Sequence, residues 1–148
     1  MDRKRSRSSR FGIYVFLIVE DKSGEAEKAV KAVEGRKHIA GAAYPGFIGA
    51  VPNVEAAIDL MDLPGVTYDG VLTDMYLTKE PVGLEIVMEC QKREIPCVVC
   101  TDCHSHPENN FWYKLAQHMG ADLVTDKDWG RAVDLLIQKI DYEGGEKR

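Results

Sequence analysis

The sequence predicts an α/β fold: a doubly wound five-stranded parallel sheet with helices on both faces. Three observations lead there. Short runs rich in β-branched and aromatic residues recur along the 148-residue chain, bounded by polar or glycine-containing stretches. The segments between them carry apolar residues at helical spacing. Within the runs, apolar side chains occupy consecutive positions rather than alternate ones, as in strands buried on both faces. Strands that alternate with helices imply right-handed crossovers and a parallel sheet.

The elements follow in order. Residues 11–19 are apolar apart from Gly12 and read as a buried strand. Residues 23–33 read as a helix. Ser23 is a candidate N-cap, Glu25 and Glu27 lie in the first turn, and Ala26, Ala29, Val30 and Val33 form one stripe ahead of a stop at Gly35. A short second strand fits residues 38–43, and the glycine- and proline-rich stretch 41–53 reads as loop. Asn53 caps a short helix over 54–61. The run YDGVLT, residues 68–73, is a third strand ending at Asp74. Leu84, Val87 and Met88 give helical spacing over 83–93. Residues 95–100, IPCVVC, form a fourth strand ending at Thr101. A helix over 111–119 stops at Gly120, and a fifth strand over 121–125 runs into Asp126 and Lys127. Residues 129–140 close the chain as an amphipathic helix with Val133, Leu136, Ile137 and Ile140 inward. Five such units at this length suggest a flavodoxin-like three-layer sandwich. The expected organisation is a disordered basic tail over 1–10, one domain over 11–141 and a disordered tail over 142–148.

Composition narrows the function classes. Apolar residues make up 45% and charged residues 29%, the balance of a globular chain that needs no metal or disulfide to fold. The first ten residues hold five basic side chains against one acid, leaving fourteen basic against twenty-three acidic side chains, a net −9, in the rest. An acidic body disfavours a broad nucleic-acid surface. The basic start and the apolar residues 11–19 imitate a secretory signal, but Glu20, Asp21 and Lys22 follow at once without a small-residue cleavage site. Nine residues are also too few to span a bilayer as a helix. The expectation is a cytoplasmic protein with no membrane partner and reduced cysteines.

Open parallel sheets place their sites beyond the carboxyl ends of the strands. There the first strand delivers Glu20 and Asp21, the third Asp74, the fourth Thr101 and Asp102, and the fifth Asp126, Lys127 and Asp128. Close carboxylates repel, and a hard divalent cation such as Mg²⁺ relieves that repulsion while leaving positions open for water and phosphate. Lys127 adds a compact positive charge, Thr101 a hydroxyl donor, and a carboxylate can itself be the nucleophile that forms an acyl phosphate.

In their order and distances these motifs resemble the receiver domain of bacterial response regulators, over roughly residues 12–140. The resemblance is carried by Glu20-Asp21 in FLIVEDKSG, Asp74 in YDGVLTDMYL, Gly83-Leu84-Glu85, Thr101 in IPCVVCTD, and Gly120-Ala121-Asp122 ahead of Lys127. It implies that Asp74 accepts a phosphoryl group from a histidine kinase or phosphotransfer protein. It implies Mg²⁺ held by Asp21, Asp74 and the backbone carbonyl of Tyr76, with Glu20 reaching it through water. Thr101 and Lys127 would hold phosphoryl oxygens, and a downstream protein target would read the change around the fourth and fifth strands. Any catalysis would be self-phosphorylation and self-dephosphorylation. Few residues follow Ile140, so the expectation is a stand-alone unit without an output domain.

The chain also departs from that pattern. Thr78 stands where a proline is usual, and Gly83 falls one residue late. Asp102 replaces a small residue that gates access to the phosphate, Val124 an aromatic switch residue, and Asp128 a proline. A phosphorylation-independent, receiver-like interaction module is therefore an open alternative. A third reading is enzymatic: LIVEDKSGEAE resembles the opening of the Toprim domain of topoisomerases and primases, which would make this a Mg²⁺-dependent DNA-processing domain with Glu20 in catalysis. Met75 and Tyr76 follow Asp74, so the second aspartate of the Toprim pair is missing.

Two further clusters invite function. Cys97, Cys100 and Cys103 have metal-site spacing, with His104 and His106 beyond. Side chains three apart on a strand point to opposite faces, however, so Cys97 and Cys100 are expected to fill the core, leaving Cys103, His104 and His106 as a partial loop site. Phe111, Trp112 and Tyr113 are consecutive at a helix start, so at least one must face outward, with two expected to pack under the preceding loop.

Overall fold

The structure, a computed structural model, describes residues 13–36, 44–46, 50–65, 67–77, 79–102 and 110–146. The elements are β1 (Ile13–Val19), α1 (Ser23–Glu34), β2 (Tyr44–Gly46), β3 (Ala50–Val51), α2 (Val54–Asp62), β4 (Gly70–Thr73), α3 (Gly83–Arg93), β5 (Cys97–Cys100), α4 (Phe111–His118), β6 (Asp122–Val124) and α5 (Trp129–Glu146). All strand pairs in the sheet are parallel, in the order β2-β1-β4-β5-β6, with β3 also beside β1.

The edge position next to β1 is shared by two short pieces. β2 pairs with Ile13, Tyr14 and Val15, and β3 with Ile18 and Val19. The sheet is thus five positions wide, as expected, but its edge strand lies within the stretch read as loop. The expected second strand, residues 38–43, falls outside the described residues. An edge strand needs one row of hydrogen bonds and tolerates Pro45, so its composition need not look like a strand.

Strand residues alternate between two cores, which fixes the three layers. Phe16, Ile18, Leu72, Val98 and Cys100 face α1 and α5. Leu17, Val19, Val71, Cys97 and Val99 face α2, α3 and α4. Cys97 and Cys100 therefore do sit on opposite faces, both buried. Cys103, His104 and His106 lie outside the described residues.

Two local expectations change. Ser23 is the first residue of α1, and the capping position is Lys22, which makes no side-chain cap bond. Glu20 Oε2 instead accepts from the Lys22 amide at 3.2 Å. The last helix runs to Glu146, so residues 142–146, expected as tail, are helical. The apolar stripe ends at Ile140 although the backbone continues, and no proline interrupts it. Asn53 caps α2 as expected, its side chain accepting from the Ala56 amide at 2.8 Å. No described helix is long and apolar enough to cross a membrane.

Candidate functional site

The parallel register of β1 and β4 pairs Val19 with Thr73, so the next residues, Glu20 and Asp74, leave the sheet side by side. This is the point where strand order reverses, the place where open parallel sheets bind their ligands. The backbone fixes both residues: the Asp74 amide donates to Val19 O at 3.1 Å and the Glu20 amide to Val51 O at 2.9 Å. Both residues are buried, at 3% exposure for Glu20 and 5% for Asp74. One carboxylate oxygen from each of Glu20, Asp21 and Asp74 lies within 4.8 Å of the others.

Lys127 closes the group. Its Nζ is 2.5 Å from Glu20 Oε1 and 2.9 Å from Asp74 Oδ2. Asp126 and Lys127 both have left-handed backbones, φ 61° and 50°, which turns the chain back over the carboxyl edge. The turn is tied to β5 by the Lys127 amide, which donates to Thr101 O at 2.7 Å. The Trp129 ring centroid lies 5.2 Å from Lys127 Nζ, and Trp129 Nε1 donates to Glu25 Oε1 at 2.9 Å.

Burial pushes the Glu20 carboxyl above its ordinary value; the Lys127 hydrogen bond opposes this and the Asp74 charge adds to it. Burial likewise raises Asp74 against the pull of Lys127. Burial works against the Lys127 charge, but Glu20 and Asp74 outweigh it and hold the ammonium above its usual value. Two of the three carboxylates, Glu20 and Asp74, share the Lys127 ammonium. The all-oxygen donors and their closeness fit a hard divalent cation.

The loop that follows Asp74 is held from below by Gly83. The Gly83 amide donates to Met75 O at 2.8 Å. A Cβ at this position would overlap the Asp74 carbonyl oxygen and Met75 Cα, so only glycine fits. Ahead of Gly83, Leu77 and Glu80 bridge each other through paired backbone hydrogen bonds of 2.9 and 3.1 Å.

Thr101 is fully buried at the end of β5, its amide donating to Val124 O at 2.8 Å. Its hydroxyl is hydrogen-bonded to the Tyr113 phenol. Tyr76 stands over Asp74, its amide 3.4 Å from Asp74 Oδ1. The Tyr76 hydroxyl accepts from Asn110 Nδ2 at 3.0 Å, while Asn110 Oδ1 caps α4 through the Trp112 and Tyr113 amides.

Of the six residues expected from sequence, Glu20, Asp21 and Asp74 lie together and Lys127 contacts Glu20 and Asp74; Tyr76 reaches Asp74 through its amide, and Thr101 accepts the Lys127 amide with its carbonyl. Asp102, Asp126 and Asp128, which also follow strands, are exposed. Asp128 has another task, as its Oδ1 caps α5 by accepting from the Arg131 amide at 3.0 Å. Tyr113, Asn110 and Trp129 were not expected near the site. Among the three adjacent aromatics, only Tyr113 is buried; Phe111 and Trp112 are 64% and 37% exposed, not two packed and one outside. They meet edge to face, 5.0 Å between centroids.

No protein-family model and no curated protein sequence matches the chain. Solved structures do. The signal receiver domain of a modulated diguanylate cyclase from Desulfovibrio desulfuricans G20 superposes with a TM-score of 0.65 at 19% identity, over 88% of this chain and 98% of that one. The Mn²⁺-bound form of response regulator Rcp1 gives 0.55 at 21% identity, over 86% and 88%. The phosphorylated cyanobacterial phytochrome response regulator RcpA gives 0.59 at 17% identity, over 87% and 92%. The chain has the fold of response-regulator receiver domains.

Proposed function

We propose that this chain is a receiver of two-component signalling, in which Asp74 accepts a phosphoryl group with the help of Mg²⁺ and the change is passed on through protein contacts. The observation that carries this reading is the buried Glu20–Asp21–Asp74 group closed by Lys127 at the strand-order reversal. Metal binding by one structural neighbour and phosphorylation of another support it.

In this reading an Asp74 carboxylate oxygen attacks phosphorus. A new oxygen–phosphorus bond forms, and the phosphorus bond to the donor's leaving group breaks. The donor is a phosphohistidine of a kinase or phosphotransfer protein, or a small acyl phosphate. Asp21, Asp74 and the Tyr76 carbonyl would hold Mg²⁺, which supplies charge neutralisation for the incoming phosphoryl group. Glu20 is already engaged by Lys127 and by the Lys22 amide, which suits a water-mediated role. Lys127 is poised to exchange its contact with Asp74 for one with a phosphoryl oxygen, and Thr101 supplies a hydroxyl from β5.

One observation favours the second reading, a phosphorylation-independent interaction module. Val124 is buried in the α1–α5 core, so the position of the usual aromatic switch carries none. Intact-mass analysis separates the two. With acetyl phosphate and Mg²⁺ the protein should gain one phosphoryl group, and chelation by EDTA should abolish the gain. No added mass under saturating donor and Mg²⁺ would leave the interaction module as the better account.

A further inference from the structure

Val124 leaves the expected switch position without an aromatic, while Tyr113 brings one to Thr101 from a different element. It lies in the first turn of α4, is 3% exposed, and places its phenol on the hydroxyl of Thr101. Its ring also meets Tyr76 edge to face, 6.0 Å between centroids. Tyr76 in turn is bonded through its hydroxyl to Asn110, the residue that caps α4. Two arms therefore run from the rim of the Asp74 site to one helical turn: Tyr76 to Asn110 and Thr101 to Tyr113.

We propose that Tyr113 is a positioning residue, whose phenol donates to Thr101 Oγ1 and so directs the Thr101 hydroxyl proton toward an oxygen bound at Asp74. The inference rests on the receiver reading above. A hydroxyl has one proton and two lone pairs, so a threonine that accepts from Tyr113 keeps its own proton for another acceptor. Of the two hydroxyls the phenol is the more acidic and so the better donor in this pair. A chain of two aligned hydroxyls polarises in one direction and strengthens the terminal donor. The same contact carries the event outward, because Tyr113 follows Trp112 and Phe111, the exposed aromatic pair. Movement of Thr101 then pulls on the turn that presents them.

The test uses the full chain and two probes, Mg²⁺ alone and beryllofluoride at saturating Mg²⁺, with affinities measured by calorimetry. Tyr113→Phe keeps the ring and removes the hydroxyl. Its Mg²⁺ affinity should match wild type, while its beryllofluoride affinity falls roughly threefold to tenfold, the worth of one hydrogen bond. Thr101→Ala should also weaken beryllofluoride binding, and adding Tyr113→Phe to it should cost nothing more, because the phenol acts only through the threonine. Equal loss of Mg²⁺ and beryllofluoride affinity in Tyr113→Phe would reduce Tyr113 to a packing residue. Unchanged beryllofluoride affinity, or additive losses in the double variant, would overturn the relay while leaving the receiver reading intact. A wild-type protein that binds Mg²⁺ but no beryllofluoride would overturn both.

Discussion

Lys127 and Glu20 form a buried ion pair: Nζ is 2.5 Å from Oε1, with side-chain exposures of 11% and 0%. The same ammonium also serves Asp74, so one cation holds together a group of carboxylates that would otherwise repel. Removing it leaves buried charge uncompensated. Lys127→Ala should therefore cost about 3 kcal/mol of stability in EDTA, measured by urea unfolding. Mg²⁺ should restore most of that, and Mg²⁺ affinity should be equal to wild type or higher, since a competing cation is gone. A variant equally unstable with and without Mg²⁺ would mean that Lys127 acts on the fold rather than on the charge of the site.

The opposite substitution should have the opposite sign. Asp74 is raised by burial despite Lys127, so the folded protein holds its proton more tightly than the unfolded chain does. Such a group lowers stability as pH rises from the ordinary carboxylate value, 3.8, through the raised one. Asp74→Asn should then stabilise the metal-free protein near neutral pH. The gain should vanish as pH falls below the ordinary value, where Asp74 is neutral in both states. Denaturant titrations of both proteins across this range check it; a loss of stability at neutral pH would contradict the electrostatic account.

Asp21→Ala should weaken Mg²⁺ binding more than Glu20→Ala, by about tenfold or more. Glu20 already spends its oxygens on Lys127 and the Lys22 amide, whereas Asp21 stands at the less buried side of the cluster. Losing one directly bound carboxylate removes a charged ligand that water replaces poorly. Calorimetric titration giving the reverse order would exchange their roles.

Gly83→Ala should disturb the site from beneath. The added methyl overlaps backbone atoms of Asp74 and Met75, which cannot rotate away as a side chain would. Overpacking of this kind costs typically about 1–3 kcal/mol. The displaced Asp74–Tyr76 backbone should also lower Mg²⁺ affinity. Thermal unfolding and Mg²⁺ titration on the same variant check both effects, and an unchanged affinity would show that the loop adapts without moving the ligands.

Much of the arrangement was legible because it depends on residue type at strand ends. Glu20, Asp21, Asp74 and Lys127 are charged residues directly after apolar runs, and a parallel sheet brings such positions to one edge. The bounds of α3 match the expected 83–93 because its apolar spacing is regular. The edge pieces β2 and β3 were hidden because three- and two-residue strands with Pro45 carry too little pattern. Tyr113 was hidden for a different reason. Its contact with Thr101 depends on how the chain returns after β5, which no periodicity encodes, and a buried tyrosine reads as ordinary core. Asn110 had a visible cap signal ahead of α4, but the reach of its other side-chain atom to Tyr76 is a tertiary fact.

The central claim is that Asp74, and no other carboxylate, takes the phosphoryl group. Treating the protein with acetyl phosphate and Mg²⁺, reducing the acyl phosphate with borohydride and mapping the peptides by mass spectrometry locates the modified residue directly. The account predicts homoserine at position 74 alone, and none when Mg²⁺ is withheld. Reduction at Glu20, Asp21 or an exposed acid such as Asp102, with position 74 unmodified, would contradict it.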